Sequence, residues 1–440
     1  MTAGRILARR GQRGFSLIEL MVAMLLGLLV AGGIVSVFMA TSNSSLVQTQ
    51  LAKLQEEGRF AITALTTDLR MGNAQYCSNM GGQSAGLSNG VLSLDRYLRA
   101  PQVLVSGAVF QGALNDNTTL WGATSGTNTY PVSPVAAFTM PSYVSLRGYD
   151  CTVTKCTPVD PSTASGAGIP AQGTAIGNRM PGSGVVTLRY LNGARGWLLD
   201  GVNSTIALSG NNVASITVVP QAGEPPLLNF TKGDLLMLAD CNAAQVFAAT
   251  ASGNIFTPGS NYSQVARPSG VSPKLFDFNR DFQTVSYFLQ VVDDNNGHKT
   301  GALMRRVNGV SGEVVRGIER LDFLYGVMDA TGNTSYRTAA DIDSATTCPS
   351  STVVVPGSDP GCLWRSVQNI EVHILMDGQV PLYSLTAPEM QYQYYGDTGV
   401  AGMSAPDDNK RAVMPSQQGI DNHMLRREFT AVVSLRNYNP

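Results

Sequence analysis

From Leu20 to Ala40 the chain reads LMVAMLLGLLVAGGIVSVFMA, 21 consecutive positions without a charge. A bilayer core needs about 20 apolar residues in helical form, so this run predicts one membrane-crossing helix. Arg5, Arg9, Arg10 and Arg13 precede it and no basic cluster follows it. The positive-inside rule then keeps the short N-terminal arm cytoplasmic and sends the remaining 400 residues outward. An ordinary secretory signal is cut after a shorter apolar stretch of roughly 7 to 15 residues, whereas this one is long enough to stay as an anchor.

At the start of the run stands Gly14-Phe15-Ser16-Leu17-Ile18-Glu19-Leu20, which puts an acid inside the apolar segment. A charge at mid-membrane costs at least about 2.5 to 3.5 kcal/mol, so an ionisable residue there marks a function and calls for a partner.

Beyond the membrane, Leu51, Leu54, Gly58, Ala61, Leu65 and Leu69 recur at helical spacing. The helix is therefore expected to continue, from about Phe15 to about Met71, as a rod roughly 85 Å long at 1.5 Å per residue. Its stripe is expected under a sheet, and Gly72-Asn73 as its C-terminal cap. After Gly72, short β-branched and aromatic runs lie between Gly, Pro, Asn and Asp, which predicts a mainly antiparallel sheet. The clearest strand candidates are Val103–Phe110, Val185–Leu191, Ser215–Val219, Asp234–Leu238, Gln245–Ala249, Thr284–Val292, Gly301–Arg306, Asn369–Met376 and Phe429–Leu435, with a hairpin around Asn296-Gly297. Ser78–Gly90, Thr157–Gly184 and Gly396–Gly419 are rich in small and polar residues and read as surface loops or partly mobile stretches. A Pro/Gly/Ser cluster from Arg267 to Pro273 is where the sheet-rich part would split into two lobes.

Cys77, Cys151, Cys156, Cys241, Cys348 and Cys362 form an even set with no CxxC spacing, and only three histidines accompany them. That disfavours zinc and favours disulfides, in keeping with an outward-facing head. Short loops favour Cys151 with Cys156 and Cys348 with Cys362, leaving Cys77 with Cys241. Buried free thiols are the alternative. The four leader arginines carry no acid with them, so removing the first fourteen residues takes the formal net charge from −1 to −5. A mildly acidic product without Lys/Arg runs gives no footprint for nucleic acid.

The run GFSLIELMVAM resembles the prepilin signature of type IV pilins and of type II secretion pseudopilins. In such chains a membrane-embedded aspartyl peptidase cuts after the glycine, here Gly14, and N-methylates the new first residue, here Phe15. The resemblance implies that Glu19, then the fifth mature residue, neutralises the terminal amine on Phe15 of a neighbouring subunit. Four downstream segments, GDLLMLADCNAAQVF from Gly233, VVRGIERLDFLYGV from Val314, WRSVQNIEVHILM from Trp364 and FTAVVSLRN from Phe429, are similar in order to those of the PilW family of minor pilins.

The expected fold is α+β and pilin-like: residues 1–14 a leader, 15–72 the N-terminal helix with 15–40 in the membrane, and 73–440 a β-rich extracytoplasmic head with long loops. The resemblance implies a non-catalytic subunit without a cofactor. It would start pilus assembly, sit at or near the tip, and support twitching motility and adhesion. Its implied partners are other minor pilins and the major pilin through the helix, the prepilin peptidase, a tip adhesin and the bacterial inner membrane. The head would lie in the periplasm before assembly and on the cell-surface pilus afterwards. The competing readings are a type II secretion pseudopilin, a signal-anchored binding protein and an anchored hydrolase. His298, His373 and His423 lack HExxH, GxSxG, Walker A or GxGxxG contexts. The Asp-rich turns at Asp293-Asp294-Asn295-Asn296 and at Asp329–Asn333 lack calcium-loop spacing and read as turns.

Overall fold

The computed structural model describes residues 14–72 and 101–435, apart from 115–117, 119–120, 123, 126–127, 131, 164–167, 228–229, 231–232, 241–242, 260–263, 269–271, 295–296, 329–332, 346–360 and 398–401. The chain divides into two compact units, Met1–Ala52 and Lys53–Pro440. One helix, α1, runs from Leu17 to Leu69. No proline interrupts it, and Leu and Ala, both good helix formers, are its commonest residues. It ends where the amides of Met71 and Gly72 turn back to the carbonyls of Asp68 and Leu69, at 2.8 and 3.0 Å. Gly72 does not adopt the left-handed conformation expected of a glycine cap. Three-residue back-bonds close the helix instead, and Asn73 lies outside the described residues.

Within the second unit the strands form three larger sheets and one two-stranded ribbon. A six-stranded antiparallel sheet runs in the order Val310–Arg316, Lys299–Val307, Phe282–Asp293, Val185–Leu191, Leu146–Cys151, Cys156–Thr157. A four-stranded antiparallel sheet runs Thr334–Arg337, Ile318–Met328, Val367–Asp377, Arg426–Ser434. A nine-stranded sheet is built around Lys274–Asp277, Leu235–Ala239 and Ala244–Ser252. Among the described ladders only Gln102–Val103 with Ala244–Ser252 is parallel. The head is therefore predominantly antiparallel, and the whole is α+β and pilin-like.

Central strands have both faces covered: every residue of Val185–Leu191 is buried, and its polar members Thr187 and Arg189 are hydrogen-bonded to Ser286 and Thr284. The expected strand at Val103–Phe110 is a different element. Pairing there stops after Val103, and Ser106 caps a short helix, Gly107–Ala113, its hydroxyl accepting the Val109 amide. The helix-capping serine overrides the β-branched run on either side of it. The hairpin around Gly297 forms, with Asp293 opposite Lys299 and Gly297 at φ 87°.

Two stretches expected as loose loops are tied down by buried polar side chains. Ser78–Gly90 lies outside the described residues. In Thr157–Gly184, Arg179, Met180 and Ser183 are fully buried. In Gly396–Gly419, Arg411 pairs with Asp397, donates to the carbonyls of Tyr392 and Ser404, and stacks over the Tyr392 ring at 3.5 Å. Gln418 reaches the carbonyls of Pro181 and Glu319 at 2.7 and 2.9 Å. Composition misleads here because these anchors are charged and amide groups rather than apolar ones. Across the Arg267–Pro273 cluster the ladders continue: Lys274–Asp277 pairs with Leu235–Ala239 and with Trp197–Leu198.

Candidate functional site

The N-terminal site is built by four residues. Gly14, Phe15 and Ser16 precede the helix in non-helical backbone, and Phe15 is 86% exposed. The Gly14–Phe15 bond thus lies outside the helix. Ser16 is the N-cap: its carbonyl accepts the first helical bond from the Leu20 amide at 3.1 Å. Its hydroxyl accepts the Glu19 amide at 3.1 Å, and Glu19 Oε2 accepts the Ser16 amide at 2.9 Å. This is a reciprocal capping box, and its sequence signature is Ser-x-x-Glu. The leader arginines lie outside the described residues.

Behind this cap the helix offers an apolar surface with nothing on it. Leu17, Ile18, Leu25, Leu28, Ile34 and Phe38 are all more than half exposed. Between Glu19 and Lys53 no charged residue occurs. Among the described residues this is the helix long and apolar enough to cross a membrane, with a mean hydropathy of 2.5 in its most apolar window. Such a surface is stable only in lipid or against other helices.

The later turns of α1 belong to the head. Leu54, Gly58, Ala61, Leu65 and Leu69 are buried, as the helical stripe predicted, whereas Leu51 is exposed. Phe429 of Arg426–Ser434 lies against Gly58. As the penultimate residue of the helix, Asp68 accepts the Tyr287 hydroxyl at 2.7 Å, the Tyr190 hydroxyl at 3.3 Å and Arg305 Nη2 at 3.1 Å. Burial and then the Asp68 charge push the Tyr190 phenol up to about 12 and the Tyr287 phenol higher. The hydrogen bond to Asp68 leads in raising the Arg305 guanidinium. At the other end of this segment Gln379, with φ at 62°, accepts from Lys53 Nζ at 3.0 Å and donates to Glu57 at 2.6 Å. The periodicity had shown the apolar stripe; these polar anchors join residues far apart in the chain and left no local signal.

Cys151 and Cys156 form a disulfide across a strand pair in which they are direct partners. Arg179 Nη1 lies 3.1 Å from each sulfur. Cys77, Cys241 and Cys348 and the Cys362 side chain fall outside the described residues, and with them the pairings Cys77 with Cys241 and Cys348 with Cys362. The three histidines lie apart from one another. The His298 amide bonds Asp294 in the hairpin, His373 is buried with Nδ1 2.9 Å from Glu428, and His423 pairs with Asp421. Among the described residues no group of three or more His, Cys, Asp or Glu is placed to hold a metal ion.

Residues 286–437 match the family model described as Type IV Pilus-assembly protein W, and residues 9–35 match the model described as Prokaryotic N-terminal methylation motif. The first match covers most of the Phe282–Asp293 and Lys299–Val307 hairpin and all of the four-stranded sheet, including Tyr287, Arg305 and Phe429 against α1. The second covers Gly14, Phe15, Ser16, Glu19 and the first turns of the helix. No curated protein and no solved structure matches the chain.

Proposed function

We propose that this chain, a PilW-like minor pilin of the type IV pilus by its two family matches and its fold, belongs to the complex that initiates pilus assembly and remains at or near the tip. The family is one of structural pilins; its membership implies contact with other pilus components and processing by the prepilin peptidase. The prepilin signal and the apolar helix anchor the chain in the membrane. We read the head as periplasmic before assembly and as part of the cell-surface pilus afterwards, where it supports twitching motility and adhesion and carries a tip adhesin.

The observation that carries the reading is a wholly exposed, charge-free helix surface with a single carboxylate in its first turn. In lipid, an unpaired Glu19 is costly, and so is an unpaired terminal amine. A neighbour's Phe15 amine converts the two costs into one paired contact and sets the register between subunits. The Gly14–Phe15 bond is the processing point in this scheme, and Phe15 the methylated residue. The match over residues 286–437 favours the pilus over a secretion pseudopilin.

Mass analysis of the N-terminus of the membrane-extracted protein tests the scheme, with N-methyl-Phe15 as the expected first residue. Glu19→Ala is expected to insert and be cut, yet to recover few other pilins by crosslinking. Gly14→Leu is expected to leave the leader attached. A product starting upstream of Phe15, or normal crosslinking of Glu19→Ala, would overturn the reading.

A further inference from the structure

We infer that Ser16 is a positioning residue for the Glu19 carboxylate. The inference rests on the reading of Glu19 as the acid that meets a neighbour's amine. In the capping box Glu19 Oε2 is held by the Ser16 amide and the Glu19 amide by the Ser16 hydroxyl. Oε1 makes no hydrogen bond among the described residues. The carboxylate is therefore fixed over the helix N-terminus with one oxygen committed to its own backbone and the other available. Ser16 lies downstream of the Gly14–Phe15 bond, so the box survives the cut and stands beside the new terminus. Fixing a rotamer-rich side chain before contact removes an ordering cost otherwise met on binding, and that is worth between a few-fold and about tenfold in affinity.

Valine and threonine share β-branching and shape, and only threonine keeps the hydroxyl. Ser16→Val and Ser16→Thr are compared with Glu19→Ala in the full-length chain in its membrane. Two readouts are taken: the mass of the processed N-terminus, and the yield of other pilins crosslinked to it. Crosslinking is counted per chain that carries the processed N-terminus, and on that basis Ser16→Val is expected to lose about three- to tenfold of the crosslinked pilins. Ser16→Thr is expected to restore them. The proposal is overturned if Ser16→Val crosslinks like the unaltered chain while Glu19→Ala does not, or if Ser16→Thr is as defective as Ser16→Val. Normal crosslinking of Glu19→Ala would instead sink the reading of Glu19 itself.

Discussion

Gly58 of the helix and Phe429 of the strand Arg426–Ser434 meet so closely that a Cβ on Gly58 would lie 2.6 Å from two carbons of the phenyl ring. No real Cβ contact is that short, so the ring or the helix would have to move. Gly58→Val is expected to destabilise the chain by about 1 to 3 kcal/mol, the usual range for overpacking. Chemical denaturation of the detergent-extracted chain checks this, and Phe429→Ala in the same chain should recover part of the loss.

Asp68 accepts from two tyrosines and an arginine at the helix end, and the Tyr287 hydroxyl also lies 3.3 Å from the Ala64 carbonyl. Asp68→Ala leaves Tyr287 and Tyr190 without that acceptor and Arg305 without its counter-charge. Arg305 is 37% exposed, so solvent screens the pair, and the expected loss is about 1 to 3 kcal/mol. Tyr287→Phe is expected to cost about 1 kcal/mol. In a double-mutant cycle the two losses should fall short of additive, because both remove the same bond.

Burial, helped by the Glu319 charge, pushes Asp377 up to about 7 from an ordinary 3.8. An acid raised in the folded state contributes stability that is fully present below about 3.8 and is lost as pH rises through about 7. Asp377 still accepts the Gln379 amide at 2.6 Å and the Thr300 hydroxyl at 3.0 Å. Asp377→Asn keeps an acceptor oxygen for those donors. It is expected to flatten the slope of stability against pH between about 4 and 7, measured as denaturation midpoints across a pH series. Asp150, also raised to about 7 by burial, should leave a residual slope that Asp150→Asn reduces further.

Peptide mapping without reductant is expected to find Cys151 linked to Cys156. Cys156→Ser is expected to cost about 2 kcal/mol by the loop-closure relation for so short a loop. Arg179→Met should add to that loss, because it also removes the counter-charge 2.8 Å from Asp160. Denaturation of the three chains side by side measures both effects.

The helix and most of the central strands were legible because they obey local rules. A charge-free run, a stripe at three- and four-residue spacing and runs of β-branched residues each leave a mark within ten or twenty positions. Val185–Leu191 was read to the residue. The spacing puts Leu51 on the buried stripe, yet it is exposed and falls in the first unit. The short strand at Leu146–Cys151 gives a weak signal because Arg147 interrupts its apolar pattern, and Arg147 is buried by pairing with Asp343, 196 residues away, and by the Tyr130 ring at 4.4 Å. Asp68 and Gln379 leave no local signal for the same reason: each is explained by partners distant in sequence. Ser16 was visible as the start of a Ser-x-x-Glu pattern and was overshadowed by the acid at its end.

Because Arg411 and Gln418 fasten the stretch 396–419 from below through a handful of polar bonds, residues such as Met403, 63% exposed, bear no part of the frame. Replacing either Arg411 or Gln418 would free that stretch from its anchors while leaving the sheet ladders intact.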